Sequence, residues 1–145
     1  MTLYIDADGC PVVDIAVKLA ADAGLECFII CNTSHYFDRP PARTITVDKG
    51  ADSADFVLVN MLRAGDAVVT QDYGLAAMCL ARGAVVVNQD GFVYTNDNID
   101  AMLQFRHTSK KIRNAGGRLK GAPKRRVEQD ENFAAALGGV LLVNK

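Results

Sequence analysis

The chain has 145 residues, of which half are apolar and 23% are charged. This balance is typical of a globular protein, and it excludes disorder along the whole chain. The length predicts one domain, residues 1–145, with a core large enough to need no disulfide or structural metal. The net charge of −1 conceals an uneven distribution, because residues 106–126 hold nine bases and no acid.

Short apolar runs and helical patterns predict the following elements. Strands are predicted at residues 2–5, 26–31, 44–47, 67–70 and 84–87. Helices are predicted from Pro11 to Gly24 and at residues 51–63, 73–82, 97–106 and 128–143. Pro11 suits the first helical position, where its missing N–H costs nothing. Gly138 and Gly139 weaken the prediction of the last helix.

Strands that alternate with helices predict βαβ units, and therefore an α/β fold with a mainly parallel central sheet. Residues 28–30 are apolar in succession, as in a strand buried on both faces. The basic segment contains Gly116, Gly117, Gly121 and Pro123. It is therefore predicted to form an arm or flap at about 106–126, and not one continuous helix.

The cysteines and the apolar runs predict the cellular compartment. The four cysteines form no CxxC pair, and no apolar run approaches the ~20 residues of a membrane span. Residues 2–5 meet Asp6 at once, unlike a signal peptide. His35 and His107 have no Cys or acid at a ligand-like spacing. We expect a cytoplasmic protein with reduced thiols, no zinc site and no membrane association; the oligomeric state stays open.

Aspartates follow the predicted strands at the edge where open α/β sheets bind ligands. Asp6 and Asp8 follow the first strand, and Asp72 follows the fourth. Asp52 and Asp55 begin the intervening helix and share one face, because they are three residues apart. Crowded carboxylates repel one another unless a cation offsets their charge, and Mg²⁺ and Mn²⁺ prefer oxygen ligands. The cluster therefore predicts a divalent-metal site.

Each acid also has a simpler interpretation. Aspartate is a common helix N-cap, and Asp52 and Asp72 both precede predicted helices. Asp6 makes the strongest case for function, because a carboxylate directly after an apolar strand needs a partner. Asp48 and Asp90, which follow the third and fifth strands, are closer to solvated surface residues.

The basic segment predicts binding to the phosphate backbone of a nucleic acid. It contains few aromatic residues, so base stacking is not evident there. The residues expected to contact phosphates are Lys110, Lys111, Arg113, Arg118, Lys120, Lys124, Arg125 and Arg126.

Other chemistries compete with a metal site as explanations of these residues. Asp6-Ala7-Asp8-Gly9 resembles the first motif of haloacid-dehalogenase-type phosphatases, in which Asp6 would be the nucleophile and Asp8 a general acid/base. Thr70 could match the second motif of that family, but the later paired acids are missing. Cys10 precedes a helix without the phosphate loop and following Arg of a cysteine phosphatase, which favours a packed thiol. Neither GxxxxGK[ST] nor GxGxxG occurs.

Three longer motifs carry a family resemblance. They are YIDADGCP at 4–11, VDKGADSAD at 47–55 and VTQDYGLA at 69–76. Together with the later Gly- and Arg-rich run and residues 130–137, they resemble the YaiI/YqxD family of bacterial proteins over nearly the whole chain. That family is similar to PIN-like domains, so the resemblance implies a three-layer PIN-like fold.

PIN-like domains are typically metal-dependent nucleases that often act on RNA, which implies a matching set of ligands here. The PIN-like pattern has an acid after strand one, an acid on a central helix and an acid after strand four. These places are matched by Asp6, by Asp52 or Asp55, and by Asp72. Asp8 is an additional acid, and the loop after strand four lacks a second one. This nuclease function is implied by fold likeness alone.

The leading hypothesis is a Mg²⁺- or Mn²⁺-dependent nuclease that hydrolyses RNA with a metal-activated water. Asp6 and Asp72 would be the chief catalytic ligands, and Asp8, Asp52 and Asp55 would complete the metal site. Thr70 and Ser53 would orient a water or a phosphate. The alternatives are an aspartate-nucleophile phosphatase and a non-catalytic RNA-binding or regulatory protein.

Overall fold

The computed structural model describes residues 1–32, 36–48, 53–104 and 124–143. Their central sheet has six strands in the order β3-β2-β1-β4-β5-β6. The strands are β1 (Thr2–Asp6), β2 (Glu26–Asn32), β3 (Arg43–Val47), β4 (Ala67–Val69), β5 (Val85–Val87) and β6 (Val93–Tyr94). The first five are parallel, and β6 is antiparallel to β5. The predicted α/β class with a mainly parallel sheet is confirmed.

Helices cover both faces of this sheet. They are α1 (Val13–Asp22), α2 (Ser53–Met61), α3 (Tyr73–Ala81), α4 (residues 99–104) and α5 (Val127–Val143). One apolar core joins α1 and α5 to the sheet, and a second joins α2, α3 and α4 to the opposite face. This agrees with the three-layer PIN-like domain that the resemblance implies. Among the described helices, none is long and apolar enough to cross a membrane.

The alternation of side chains along β1 explains why its residues are almost all apolar. Leu3 and Ile5 lie in the core beneath α1 and α5, whereas Tyr4 lies in the opposite core. A strand with helices on both faces must bury both sets of side chains, which gives a continuous apolar run and not an alternating one.

The structure corrects several predicted boundaries. Helix α1 begins at Val13, so Pro11 precedes the helix and does not occupy its first position. Thr70 follows β4 and does not belong to it. Of the predicted helix at 97–106, residues 99–104 are helical and the last two lie outside the described residues. Most of the basic segment, residues 106–123, also lies outside them.

Helix α5 runs through Gly138 and Gly139 without a break. Phe133, Leu137 and Leu141, spaced four residues apart, are fully buried on one face of this helix. That burial outweighs the roughly 1 kcal/mol by which each glycine disfavours a helix.

The turn between β5 and β6 was not predicted, and it is tightly held. The Asn88 side-chain oxygen accepts hydrogen bonds from the backbone N–H groups of Asp90 and Phe92, each at 2.8 Å. Gly91 has φ +87°, and a Cβ built there would lie 2.5 Å from the carbonyl oxygen of Asn132 in α5. The turn is thus fixed from within by Asn88 and from outside by the backbone of α5.

We expect Gly91→Ala to lower the free energy of unfolding by about 3 kcal/mol, because it adds a positive-φ penalty to a steric clash. Gly24→Ala is the matched control, since Gly24 has φ +71° with nothing within 4 Å of an added Cβ. That control should lose only about 1–2 kcal/mol. Equal losses in urea-induced unfolding would show that the contact of the turn with α5 contributes nothing.

Candidate functional site

The candidate site lies at the carboxyl ends of β1 and β4, in the middle of the sheet. The chain leaves β1 towards α1 on one face and leaves β4 towards α3 on the other face. This reversal of winding opens a crevice between the two strands, the usual ligand position in an open α/β sheet. Ile5 pairs with Val69, so the next residues, Asp6 and Thr70, are neighbours at the crevice.

Thr70 links two of the predicted site residues. Its hydroxyl donates to Asp6 Oδ2 at 2.7 Å and accepts from the Asp72 backbone N–H at 3.0 Å. The Thr70 side chain is fully buried. It therefore orients the Asp6 carboxylate and the start of the loop that carries Asp72.

Asp72 is the N-cap of α3, as its position before a predicted helix suggested. Its Oδ1 accepts from the backbone N–H groups of Gly74 and Leu75, at 2.8 and 3.2 Å, and so caps α3. The prediction of an N-cap at Asp72 is confirmed. Capping does not remove its charge, which still acts on Asp6.

The loop after β1 is held by its own acid and by the loop after β4. Asp8 accepts from the Asn32 backbone N–H, at 3.1 Å to Oδ2 and 3.3 Å to Oδ1. The Gln71 side-chain amide donates to the Gly9 carbonyl at 2.7 Å. The Gln71 contact joins the loops after β1 and β4, whereas the Asp8 contact joins the loop after β1 to the end of β2.

Three carboxylates act on a fourth, Asp6, at this edge. The pKa of Asp6 is raised to about 6, chiefly by burial, and the hydrogen bond from Thr70 opposes that rise. The charges of Asp55, Asp72 and Asp8, in that order of effect, contribute to the raised value. The structure thus brings Asp6, Asp8, Asp55 and Asp72 into one electrostatic neighbourhood.

Other predicted site residues lie elsewhere or outside the described residues. Asp52 lies outside them, and so does the side chain of Ser53. Asp48 is exposed after the edge strand β3. In the part of the chain that the structure describes, no three His, Cys, Asp or Glu side chains are already arranged as a metal site.

Arg125, predicted to contact phosphate, makes internal ion pairs. Its guanidinium donates to Asp90 and Asp130, each at 2.8 Å, and to the Gln89 carbonyl at 2.7 Å. It joins the start of α5 to the turn after β5. The neighbouring Lys124 and Arg126 are exposed. The other basic residues expected to bind phosphate lie outside the described residues.

Cys10 lies beside the crevice as a half-buried free thiol. Burial raises its pKa; the Asp6 charge adds to this rise, while a backbone hydrogen bond and the Arg125 charge oppose it. A raised thiol pKa disfavours the nucleophilic thiolate, which agrees with the packed Cys10 favoured from the sequence.

An aromatic cluster beside Asp72 was missed by sequence reasoning. It consists of Tyr73, Phe92 and Tyr94, with both other rings packed edge-on against Tyr94. Tyr73 lies about twenty residues before Phe92 and Tyr94, and the rings meet because β6 folds back beside β5. A hairpin signal at Asn88–Gly91 was the one feature that could have indicated this arrangement.

The family model described as "Uncharacterized BCR, YaiI/YqxD family" matches residues 4–142 of this chain. The chain is also similar to several bacterial proteins named UPF0178 protein. One from Exiguobacterium sibiricum is 49% identical over 141 residues, 97% of this chain and 96% of that protein. One from Ruminiclostridium cellulolyticum is 50% identical over 137 residues, 94% and 90% of the two chains. One from Clostridium acetobutylicum is 43% identical over 147 residues, 100% and 99% of the two chains.

We expect Asp6→Asn to stabilise the metal-free protein near neutral pH. The folded-state pKa of Asp6 is about 6, above its ordinary value of 3.8, so the folded protein holds this proton more tightly than the unfolded chain. The stability cost of ionised Asp6 is therefore full above about pH 6 and disappears below about pH 4. The gain should be about 2 kcal/mol at pH 7.5.

The measurement is urea-induced unfolding in EDTA across that pH range, with the exposed Asp22→Asn as the charge-matched control. The difference in free energy of unfolding between wild type and Asp6→Asn should shrink as the pH falls. The difference between wild type and Asp22→Asn should not change with pH. A difference independent of pH for Asp6→Asn would refute the buried-charge explanation.

We expect Arg125→Gln to lower the free energy of unfolding by about 2 kcal/mol, because two acids lose a partly buried partner. Arg126→Gln is the neighbouring control. Arg126 is three-quarters exposed and pairs with Glu128 at 3.6 Å. Its loss should change stability by no more than about 0.5 kcal/mol. Chemical denaturation distinguishes the two, and similar small effects would show that Arg125 is dispensable to the fold.

Proposed function

The chain belongs to the YaiI/YqxD family, and we propose that it is a divalent-metal-dependent nuclease that hydrolyses RNA phosphodiester bonds. One observation carries the proposal. Asp6 lies at the crevice between β1 and β4, where such sheets bind their ligands, and the charges of Asp55, Asp72 and Asp8 all act on it.

The chemistry of these donors fits a hard cation. They offer carboxylate and hydroxyl oxygens, which Mg²⁺ and Mn²⁺ prefer. Of the charges on described residues that act on Asp6, all are negative. Asp90 and Asp130 already hold Arg125, so that cation is paired with acids outside this set.

Asp6 and Asp72 would be the chief ligands, with Asp8, Asp52 and Asp55 completing the set. When bound, such an ion lowers the pKa of a coordinated water and offsets charge on the phosphate. Thr70 holds the Asp6 carboxylate in place through its hydroxyl. Ser53 is assigned, from the sequence, to orient a water or a phosphate.

The exposed bases at the start of α5 favour a polyanionic substrate. Lys124 and Arg126 flank the internally bound Arg125 and are themselves exposed. They end a 21-residue stretch that contains nine bases and no acid. Such a segment attracts phosphates without reading sequence.

We expect wild-type protein to cleave a labelled single-stranded RNA in Mn²⁺, and Asp6→Asn to cleave it at least about a hundredfold more slowly. Removing even a partner of a metal ligand typically costs 10- to 100-fold, so losing a chief ligand should cost more. Thr70→Val should cost about tenfold, since it removes the hydroxyl that donates to Asp6 and accepts from the Asp72 backbone but leaves both carboxylates in place. Asp22→Asn should leave cleavage unchanged.

Manganese binding followed by electron paramagnetic resonance provides a second measurement, independent of turnover. Binding lost in Asp6→Asn and kept in Asp22→Asn supports the metal site. Equal RNA cleavage by wild type and Asp6→Asn refutes the assignment. Beryllofluoride capture at Asp6, with hydrolysis of a small phosphomonoester and no RNA cleavage, would establish the phosphatase instead. Salt-sensitive RNA binding that survives loss of Asp6, without cleavage, would establish a non-catalytic binder.

A further inference from the structure

The aromatic cluster Tyr73–Phe92–Tyr94 forms a rim beside the acids. Tyr73 directly follows Asp72, and the charges of Asp72 and Asp90 both act on Tyr94. Tyr73 lies 6.1 Å from Tyr94 between ring centroids, and Phe92 lies 5.5 Å from it. The interplanar angles of 67° and 79° leave both rings edge-on to Tyr94. Tyr94 therefore packs against both of the other rings and supports them.

Phe92 keeps part of its ring accessible to solvent. It is 37% exposed, and the adjacent Val93 is 38% exposed. Both belong to the turn and short strand that follow β5. A single exposed apolar residue is ordinary, so this surface gains its meaning from the aromatic, acidic and basic residues around it.

The rim is rigid enough to serve as a binding platform. Asn88 fixes the backbone N–H of Phe92, and its own N–H donates to the Phe92 carbonyl at 2.8 Å. Gly91 rests against α5. An aromatic ring held in place before binding loses little conformational entropy when a ligand stacks on it.

Tyr94 is the buried member of the cluster. The residue is 2% exposed, and its hydroxyl is enclosed beside the Asn88 side chain, which lowers the pKa of Tyr94 against the larger effect of burial. Tyr94 therefore supports the two other rings from within the protein and does not itself reach a ligand.

Positive charge lies next to the same turn. Arg125 binds the Gln89 carbonyl and Asp90, and so brings the start of α5 against residues 88–92. Lys124 and Arg126 are exposed on either side of it. A stacking surface flanked by cations and by a hydrolytic site matches a polymer of bases and phosphates better than an apolar partner.

We propose that Phe92 and Tyr73, supported by Tyr94, form a subsite that stacks one unpaired base of the RNA next to the bond to be cleaved. The inference rests on the proposed function, because it gives that same site a base-binding position. It makes Phe92 a specificity-determining residue, which favours unpaired over base-paired RNA. Stacking is tolerant of base identity, so the subsite recognises the presence of a base and not its type.

The test measures binding without cleavage. Fluorescence anisotropy in EDTA compares an end-labelled oligoadenylate with an abasic ribose-phosphate oligomer of equal length and charge. Wild type should bind the oligoadenylate more tightly. Phe92→Leu keeps an apolar contact with Tyr94 but removes the aromatic face, and it should weaken oligoadenylate binding about tenfold while leaving abasic binding unchanged.

Phe92→Tyr should restore binding, and Leu142→Ala removes an exposed apolar side chain from the far end of α5 as a control. Thermal unfolding checks that each variant is folded. Equal losses for both oligomers in Phe92→Leu, or no loss, would overturn the subsite. Base-dependent binding without Mn²⁺-dependent cleavage would refute the nuclease and leave the subsite standing. RNA cleavage in Mn²⁺, together with unaltered oligoadenylate binding by Phe92→Leu, would support the nuclease and refute the subsite.

Discussion

The parallel pairing of β1 with β4 determines where charge accumulates in this protein. Their register places Asp6 beside Thr70, and the chain leaves the two strands towards opposite faces. A carboxylate in that position loses much of its hydration, which raises its pKa to about 6 even though Thr70 donates to it. The fold therefore maintains an acid in a place where the charged form is disfavoured. Such strain is tolerated at functional sites and compensated by packing elsewhere.

The positive charge of Arg125 is paired with acids other than this group. Arg125 is held by Asp90 and Asp130, and it fastens α5 to the turn after β5. Its sequence neighbours Lys124 and Arg126 are exposed. Under the proposed function, the exposed bases would attract a polyanion whose phosphates would then face carboxylates. A bound cation would offset that repulsion, and it would then serve substrate binding as well as chemistry.

The sequence predicted those features that depend on local pattern. Apolar runs identified the five parallel strands, and their carboxyl ends identified Asp6, which proves to be the last residue of β1, and Asp72. Features that depend on long-range packing were missed. Strand β6 has two residues, too few to show an alternation of apolar and polar side chains. The helix α5 tolerates Gly138 and Gly139 because Phe133, Leu137 and Leu141 are buried. A charge count could not reveal that Arg125 would pair with acids distant in sequence.

The sequence predicted the acids of the candidate site but not the residues that surround them. Thr70 was assigned to orient a water or a phosphate, and the structure adds that it holds Asp6 directly. The aromatic rim combines the start of α3 with a turn some twenty residues later, which no local motif encodes. Propensity and periodicity describe single elements, whereas a site is formed by the edges of several elements together.

The contact between Gly91 and Asn132 has a consequence for synthesis on the ribosome. The acids at the crevice belong to the first half of the chain, but the turn that carries Phe92 is braced by a helix that begins at Val127. A nascent chain contains β1, β4 and the acids before that helix has been synthesised. The rim takes its final form only when α5 docks beside α1. The last segment to be translated therefore completes the rim of a site whose acids were translated first.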